Sequence, residues 1–209
     1  EANGAYSKAI NVGGIRRDFV RTLLQNLFTD TEHCEKLRRN NGIPMVVGLE
    51  NEEVAYRSLG RILALCYQGT AARFESGPLF SSNFYRALAF YPCSTQIALA
   101  LLDLPADVED IVNGKDTASD EAYSRAYQVL FNCEASDQEH RAYFAEKQHQ
   151  KELDEQLMLS LSDPSIQVYC QALQWIAEEM EQGLGETEWT ALQARPCEEI
   201  QTCIEGSLV

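Results

Sequence analysis

Proline and glycine are scarce in this sequence, with 6 and 12 among 209 residues. That scarcity excludes a collagen-like or low-complexity chain and leaves room for long uninterrupted helices. Long apolar runs are also missing: the longest, residues 97–102, is far shorter than the roughly 18 residues that a membrane-spanning helix needs. We therefore expect no membrane span. Hydrophobic residues make up 45% of the chain, which is enough to build a sizeable core.

The seven cysteines are spread singly along the chain, and their number is odd. This excludes a small disulfide scaffold and favours a reducing compartment, so we expect a cytoplasmic or nuclear protein. The chain begins at Glu1 rather than Met, and we expect it to be part of a longer protein.

Sequence patterns that carry catalytic or metal chemistry are missing as well. The chain contains no C-x-x-C, H-E-x-x-H or G-x-S-x-G motif. Glu32-His33 and Glu139-His140 could each act as an acid–base pair. Each follows an apolar helix that is predicted to end in Leu-Phe, at Leu27-Phe28 and at Leu130-Phe131, and this repetition favours turns between helices. We expect no metal, no cofactor and no catalytic residue, and we interpret the chain as a non-enzyme.

Basic residues are rare in the second half of the chain. Residues 1–100 carry 11 Lys+Arg against 9 Asp+Glu, whereas residues 101–209 carry 6 against 23. A chain this acidic repels nucleic acid and anionic membranes, so neither is an expected partner. The acidic half is interpreted as a solvated surface that aids solubility, with recognition of a basic partner as the alternative.

Apolar residues recur at helical spacing in many segments, and no run alternates with the period of a strand, so we predict an all-α fold. Asn51 is expected to cap one helix, and Asp163-Pro164 to open another, with the proline at the first helical position. The predicted helices lie around 15–28, 42–49, 51–68, 84–89, 97–102, 108–112, 123–131, 153–161, 163–180 and 187–192. Residues 1–195 are assigned to one helical domain and residues 196–209 to a C-terminal tail.

An order of short motifs between residues 20 and 70 resembles an armadillo repeat. The motifs are Leu24-Gln25-Asn26-Leu27, Cys34-Glu35-Lys36-Leu37, Gly42-Ile43-Pro44 and Asn51-Glu52-Glu53-Val54. They are similar to the end of a third helix, a short first helix, the entry to a second helix and the start of the next third helix. Residues 125–180 resemble the repeat less, because Gln148-His149-Gln150 replaces the Gly-Ile-Pro element. The resemblance implies a short, irregular armadillo/HEAT-like right-handed superhelix.

The same resemblance implies a concave surface that binds a peptide or helix of another protein. In that family, asparagines on the third helices clamp an extended peptide, and Asn26 occupies a similar position. Trp175 lies on a predicted third helix, where it packs in the core or forms a platform in the groove. Basic residues form a cluster in the first third of the chain. This cluster is either a docking patch for an acidic or phosphate-bearing partner or a set of ion pairs with nearby acids. This basic cluster includes Arg38, Arg39, Arg57 and Arg61.

The sequence therefore favours a non-catalytic scaffold or adaptor that binds another protein. Two other hypotheses stay open. One is a structural subunit of a larger assembly. The other is a helical enzyme, which would need an aspartate-rich pair facing a cavity, and Asp107-Val108-Glu109-Asp110 imitates such a pair poorly.

Overall fold

The computed structural model describes residues 18–24, 38–40, 42–48, 50–69, 79–102, 104, 106–112, 119–131, 140–145 and 150–206. These residues are mostly helical, which confirms the all-α prediction at the level of fold class. Residues 18–24 are helical, and one short hairpin follows them before the ten helices named below. In chain order the elements are β1 (Arg38–Asn40), β2 (Ile43–Met45), α1 (Glu52–Tyr67), α2 (Ser82–Phe90), α3 (Ser94–Leu101), α4 (Ala106–Val112), α5 (Asp120–Phe131), α6 (His140–Ala145), α7 (Gln150–Ser160), α8 (Pro164–Leu184), α9 (Glu186–Gln193) and α10 (Cys197–Glu205).

The helix predicted for residues 42–49 was wrong, because the segment contains the second strand of a hairpin. β1 and β2 pair antiparallel, with Arg38 opposite Met45 and Asn40 opposite Ile43. The connection is therefore two residues long, and Gly42 has a φ of 75°, in the left-handed region that short hairpin turns require. Pro44 also lacks the backbone N–H that a helix interior needs.

Helix α1 lies where the sequence predicts it, but its N-terminus is capped differently. Asn51 has a φ of 64° and makes no side-chain capping hydrogen bond. The buried carboxylate of Glu52 instead accepts hydrogen bonds from the backbone N–H groups of Val47 and Gly48, both at 3.0 Å. A carboxylate at a helix N-terminus is also favoured by the helix dipole. Glu52 therefore fixes the segment after β2 to the first turn of α1.

The predicted start of the longest helix is confirmed. α8 begins at Pro164, and the Oδ1 atom of Asp163 accepts hydrogen bonds from the N–H and hydroxyl groups of Ser165, at 2.8 and 2.6 Å. The two bonds to Ser165 hold the pKa of Asp163 below its usual value. The boundary therefore has the expected cause: a carboxylate caps the helix N-terminus, and proline occupies the first helical position.

Packing divides the chain into two compact units rather than the single domain expected for residues 1–195. Unit 1 comprises Glu1–Tyr91 and Val168–Val209, and unit 2 comprises Pro92–Gln167. Unit 1 is thus built from two separate stretches of sequence, whereas unit 2 is continuous.

The C-terminal segment of unit 1 is a packed helix, not the predicted tail. α10 packs against α1 and α2, and its Ile200 and Ile204 are fully buried. These two residues are four apart and so lie on one face of the helix. Around them, unit 1 has further fully buried side chains: Tyr56, Leu59, Leu63, Phe84, Tyr85, Leu88, Ile176 and Met180.

Unit 2 has its own apolar core, and an aromatic group packs beside it. α3 packs against α7, and α5 packs against α4, α6 and α7. The rings of Tyr127, Phe131, Tyr143 and Phe144 form a chain of tilted and edge contacts with centroids 4.7–5.6 Å apart. One buried cluster comprises Ala98, Leu99, Val112, Leu130, Leu153 and Leu157, and a second comprises Val108, Ile111, Ala122, Tyr123 and Ala126.

Over the described residues, none of the helices combines the length and the apolar character that crossing a bilayer would demand.

Candidate functional site

Arginines of α1 and glutamates of α1 and α8 form an ion-pair network within unit 1. Arg57 donates from Nε to Glu53 at 2.8 Å and from Nη1 to Glu178 at 2.9 Å and Glu179 at 3.4 Å. Arg61 donates from Nε to Glu179 at 2.7 Å. Two cations thus face three carboxylates, so the network carries one negative charge in excess. We call these five residues the α1–α8 ion-pair network.

Glu179 is the buried member of this network, with a side chain only 8% exposed. The hydrogen bond from Arg61 is the main cause that holds the pKa of Glu179 below its usual value, and burial opposes it. Glu178-Glu179-Glu181 is typical of a solvated face, but Glu179 lies on the inner side of α8, seven residues from the buried Ala172. Its charge is tolerated there because two guanidinium groups reach it from α1.

Small residues bring the backbones of α1 and α8 close together beside the network. A Cβ atom placed on Gly60 would lie 2.5 Å from the carbonyl oxygen of Ile176, and one on Gly183 would lie 3.1 Å from the Cβ of Ala64. Without such glycines the two helices would be held further apart. The close approach lets Arg57 and Arg61 reach carboxylates on the neighbouring helix.

Tyr56 links the hairpin, α1 and α8. Its hydroxyl donates to the carbonyl oxygen of Met45 at 2.6 Å, and its ring stacks on Trp175 with centroids 6.3 Å apart. The backbone N–H of Val46 donates to the carbonyl oxygen of Val168 at 2.9 Å. These contacts join α1 and the end of the hairpin to α8. Together they make α1 a firmly held element.

The outer side of α1 carries two aliphatic side chains in contact with solvent. Val54 is 63% exposed and Leu65 is 45% exposed. At about 100° per residue, eleven residues bring Leu65 back to within about 20° of Val54, and Arg61 and Ser58 lie between them on the same side. The Arg61 side chain is 65% exposed. We call Val54, Ser58, Arg61 and Leu65 the outer face of α1.

A cleft of about 490 Å³ lies at the C-terminal end of α1, lined by Tyr67, Gln68, Gly69, Glu188, Ala191 and Arg195. The Arg195 guanidinium lies 5.8 Å from the centre of the Tyr67 ring, and Gln68 donates to Glu188 at 3.2 Å. Burial raises the pKa of the Tyr67 hydroxyl. Because these groups contact one another, the cleft is a mixed polar surface, and no residue of the outer face lines it.

The structure brings most of the predicted partner-binding residues into unit 1. Arg57, Arg61 and Trp175 lie where α1 meets α8, with both arginines in ion pairs and Trp175 half-buried against Tyr56. Arg38 and Arg39 lie in β1, opposite Met45 and Pro44. Asn26 lies outside the described residues, as do residues 25–37, which carry much of the armadillo resemblance. The role of these residues in binding stays a prediction.

Sequence reasoning missed the outer face, although a signal for it was present. Val54 is one of several apolar residues in the helix predicted for residues 51–68, as are Leu59 and Leu63. Nine residues at about 100° each place Val54 opposite Leu63, which is fully buried. A count of helical angle would therefore have marked Val54 as an apolar residue directed to solvent.

Metal-binding side chains do not cluster in the part of the chain that the structure describes. Within those ranges, no three His, Cys, Asp or Glu side chains lie close enough together to hold a metal ion. Asp107 pairs with Arg125 at 2.9 Å, and the adjacent Val108 is fully buried. The pair Glu32-His33 lies outside the described residues, as do Glu139 and the side chain of His140.

No family model, no curated protein and no solved structure matches this chain.

Proposed function

We propose that this chain is a non-catalytic protein-interaction module that binds a peptide or helix of another protein on the outer face of α1. The observation that carries the proposal is the pair of exposed aliphatic residues, Val54 and Leu65, aligned on one side of a firmly held helix. Exposure of aliphatic side chains to water costs free energy. When a partner covers them, this cost is removed, and the burial contributes to the free energy of binding. Because ion pairs and a close helix crossing already order α1, a partner would find this face preformed.

Two broader proposals accompany this one. The resemblance to armadillo repeats supports a short, irregular right-handed superhelix as the finer description of the all-α fold. The cysteines Cys66, Cys93, Cys170, Cys197 and Cys203 are free, which supports a reducing compartment, the cytoplasm or the nucleus.

Affinity capture from a cell lysate tests the proposal, with a variant that makes the outer face polar. Val54→Asp/Leu65→Asp changes exposed side chains that take no part in the ion-pair network. The matched control is Val129→Asp/Met158→Asp, which changes two exposed apolar residues of unit 2, 46% and 45% exposed. Partners recovered with the natural chain should be lost with the first variant and kept with the control. Recovery of the same partners with the first variant would remove the outer face as the binding surface.

Substitution of Arg57 and Arg61 is a poor test of binding. Both arginines neutralise Glu179, so their removal would disturb the packing of α1 against α8 as well as any docking surface. The aliphatic variant separates these two effects, and circular dichroism would check that its helix content is unchanged.

A structural subunit of a larger assembly is the second candidate. The observation that favours it is the set of exposed apolar side chains in unit 2, where Met158 and Leu159 are adjacent in α7. Light scattering distinguishes the two functions: a stable oligomer that Met158→Asp/Leu159→Asp dissociates would support the subunit, whereas a monomer that captures partners would support the module.

A further inference from the structure

We infer that the segment bound on the outer face of α1 is a basic amphipathic helix of a partner protein. This inference rests on the proposed function and adds the chemistry of the partner.

The spacing of Val54 and Leu65 fits a helical partner. The two residues are eleven positions apart on one side of α1, which corresponds to about 16 Å along the helix axis. A partner helix packed alongside would place apolar residues against both ends of this stretch at its own spacing of eleven, or of seven and four. Ile62, which is half-buried, lies beside the outer face and extends its apolar surface.

The charges beside the outer face select a basic partner. Glu53 and Glu178 are 53% and 36% exposed, and the α1–α8 ion-pair network has three carboxylates for two guanidinium groups. Counted over its whole sequence, residues 1–91 and 168–209, unit 1 carries 17 Asp+Glu against 12 Lys+Arg. An acidic segment would meet a negative field here, whereas lysines or arginines would be attracted to it.

This charge balance changes how the arginines of α1 are interpreted. In the sequence alone, Arg57 and Arg61 indicate a docking patch for an acidic partner. In the structure each is bound to glutamates, and those glutamates outnumber them. The positive charge of these two arginines is therefore neutralised locally, which favours a basic partner over an acidic one at this face.

Arg61 adds one further requirement for the partner. It lies between Val54 and Leu65 and bonds Glu179 through Nε, while its side chain remains largely exposed. A guanidinium bound in this way keeps terminal N–H groups that can donate to a second acceptor. The partner helix should therefore present one polar acceptor, such as Gln or Ser, between its two apolar contacts, with lysines or arginines on the flank that faces Glu53 and Glu178.

Two labelled synthetic helices of about 18 residues test the inference by fluorescence anisotropy with the whole chain. Both have leucines spaced to match Val54 and Leu65 and a glutamine between them, and they differ only in carrying lysines or glutamates on the flank. A scrambled lysine peptide of the same composition controls for non-specific attraction to an acidic protein. We expect the amphipathic lysine helix to bind at least about tenfold more tightly than either of the others, and its affinity to fall as salt rises from about 0.05 to about 0.5 M.

Variants locate the binding on the molecule. Val54→Ser/Leu65→Ser should weaken binding of the lysine helix at least about tenfold, and Glu181→Gln, which removes a nearby exposed charge, should weaken it a few-fold. Val129→Ser/Met158→Ser in unit 2 should have no effect.

Each other outcome overturns the inference in a recognisable way. Equal binding of the lysine and glutamate helices, lost in Val54→Ser/Leu65→Ser, would overturn the basic partner but keep the outer face as the docking surface. Tighter binding of the glutamate helix would restore the acidic-partner interpretation. Binding of the lysine helix that is unchanged in Val54→Ser/Leu65→Ser would reject the outer face, as would equal binding of the scrambled peptide.

Discussion

The hydroxyl of Tyr85 donates a hydrogen bond to the Oε1 atom of Glu205 at 2.5 Å, and both side chains are buried. The backbone N–H groups of Leu79 and Phe80 donate to the same carboxylate at 2.7 and 3.0 Å. Glu205 is the last residue of α10, and a negative charge at a helix C-terminus is disfavoured by the helix dipole. The three donors offset part of that cost and of the cost of burial, and through them Glu205 fastens α10 to the segment before α2 and to α2 itself.

Glu205→Gln should destabilise the protein by about 1–3 kcal/mol, because a neutral amide accepts these hydrogen bonds more weakly and its NH₂ group faces donors. Urea denaturation measures the change. Glu181→Gln, which changes an exposed glutamate of unit 1, should stay within about 0.5 kcal/mol of the natural chain. If the two variants proved equally stable, Glu205 would not fasten α10.

Glu205 should also make stability depend on pH. Burial raises the pKa of Glu205, against the hydrogen bonds from Tyr85, Phe80 and Leu79 and the charge of Arg39, while burial and Glu205 raise the pKa of Tyr85. Above the pKa of about 4.3 that Glu has in an unfolded chain, the folded state therefore binds more protons than the unfolded one. The free energy of unfolding contributed by this group falls as pH rises through that window.

Urea denaturation of the natural chain and of Glu205→Gln, at several pH values between about 4 and 7, measures this contribution. Because glutamine does not titrate, the free energy of unfolding of the natural chain should fall relative to that of Glu205→Gln as pH rises. A difference between the two chains that stays constant or grows with pH would contradict the raised pKa.

Gly60→Ala should destabilise the protein by about 1–3 kcal/mol, although alanine favours a helix more than glycine does. The reason is that the new Cβ would lie 2.5 Å from the carbonyl oxygen of Ile176 and 2.9 Å from the Cβ of Glu179, so α1 and α8 would have to separate. Gly183→Ala provides the contrast, since its Cβ would meet only the Ala64 methyl group, at 3.1 Å. We expect it to be tolerated within about 1 kcal/mol in the same thermal and urea measurements.

Arg57→Ala should cost about 1–2 kcal/mol, because Glu178 and the nearly buried Glu179 each lose a partner. The loss should shrink at high salt, since part of the network is exposed. Arg125→Ala is the matched control, because its pair with Asp107 is more exposed, and it should cost less than about 0.5 kcal/mol. Equal losses in the two variants would argue that the network adds nothing beyond a surface pair.

Local signals in the sequence predicted several helix boundaries. Pro92 follows the end of α2, Gln68-Gly69 follows α1, and Asp163-Pro164 opens α8. Each of these depends on backbone chemistry within a few residues: a missing N–H group, conformational freedom or a capping carboxylate. Such boundaries can be predicted because nothing distant is needed to form them.

Features that depend on contacts between distant residues could not be predicted in the same way. Glu179 looks like a surface acid until Arg61, 118 residues away in sequence, is placed against it. Residues 197–205 look like a tail because their apolar residues are few, yet Ile200 and Ile204 become core once α1 and α2 receive them. The hairpin was missed for a different reason. Its signal is local, because Asn41-Gly42 is itself typical of a two-residue hairpin turn.

The discontinuity of unit 1 has a consequence for the order in which the protein folds during synthesis. All of unit 2 leaves the ribosome before Val168 does, so its contacts can form on the growing chain. The packing of unit 1 is completed later, because the hydrogen bond between Leu79 and Glu205 joins residues 126 positions apart. Until α10 emerges, the inner sides of α1 and α2 that it will cover remain exposed on the growing chain.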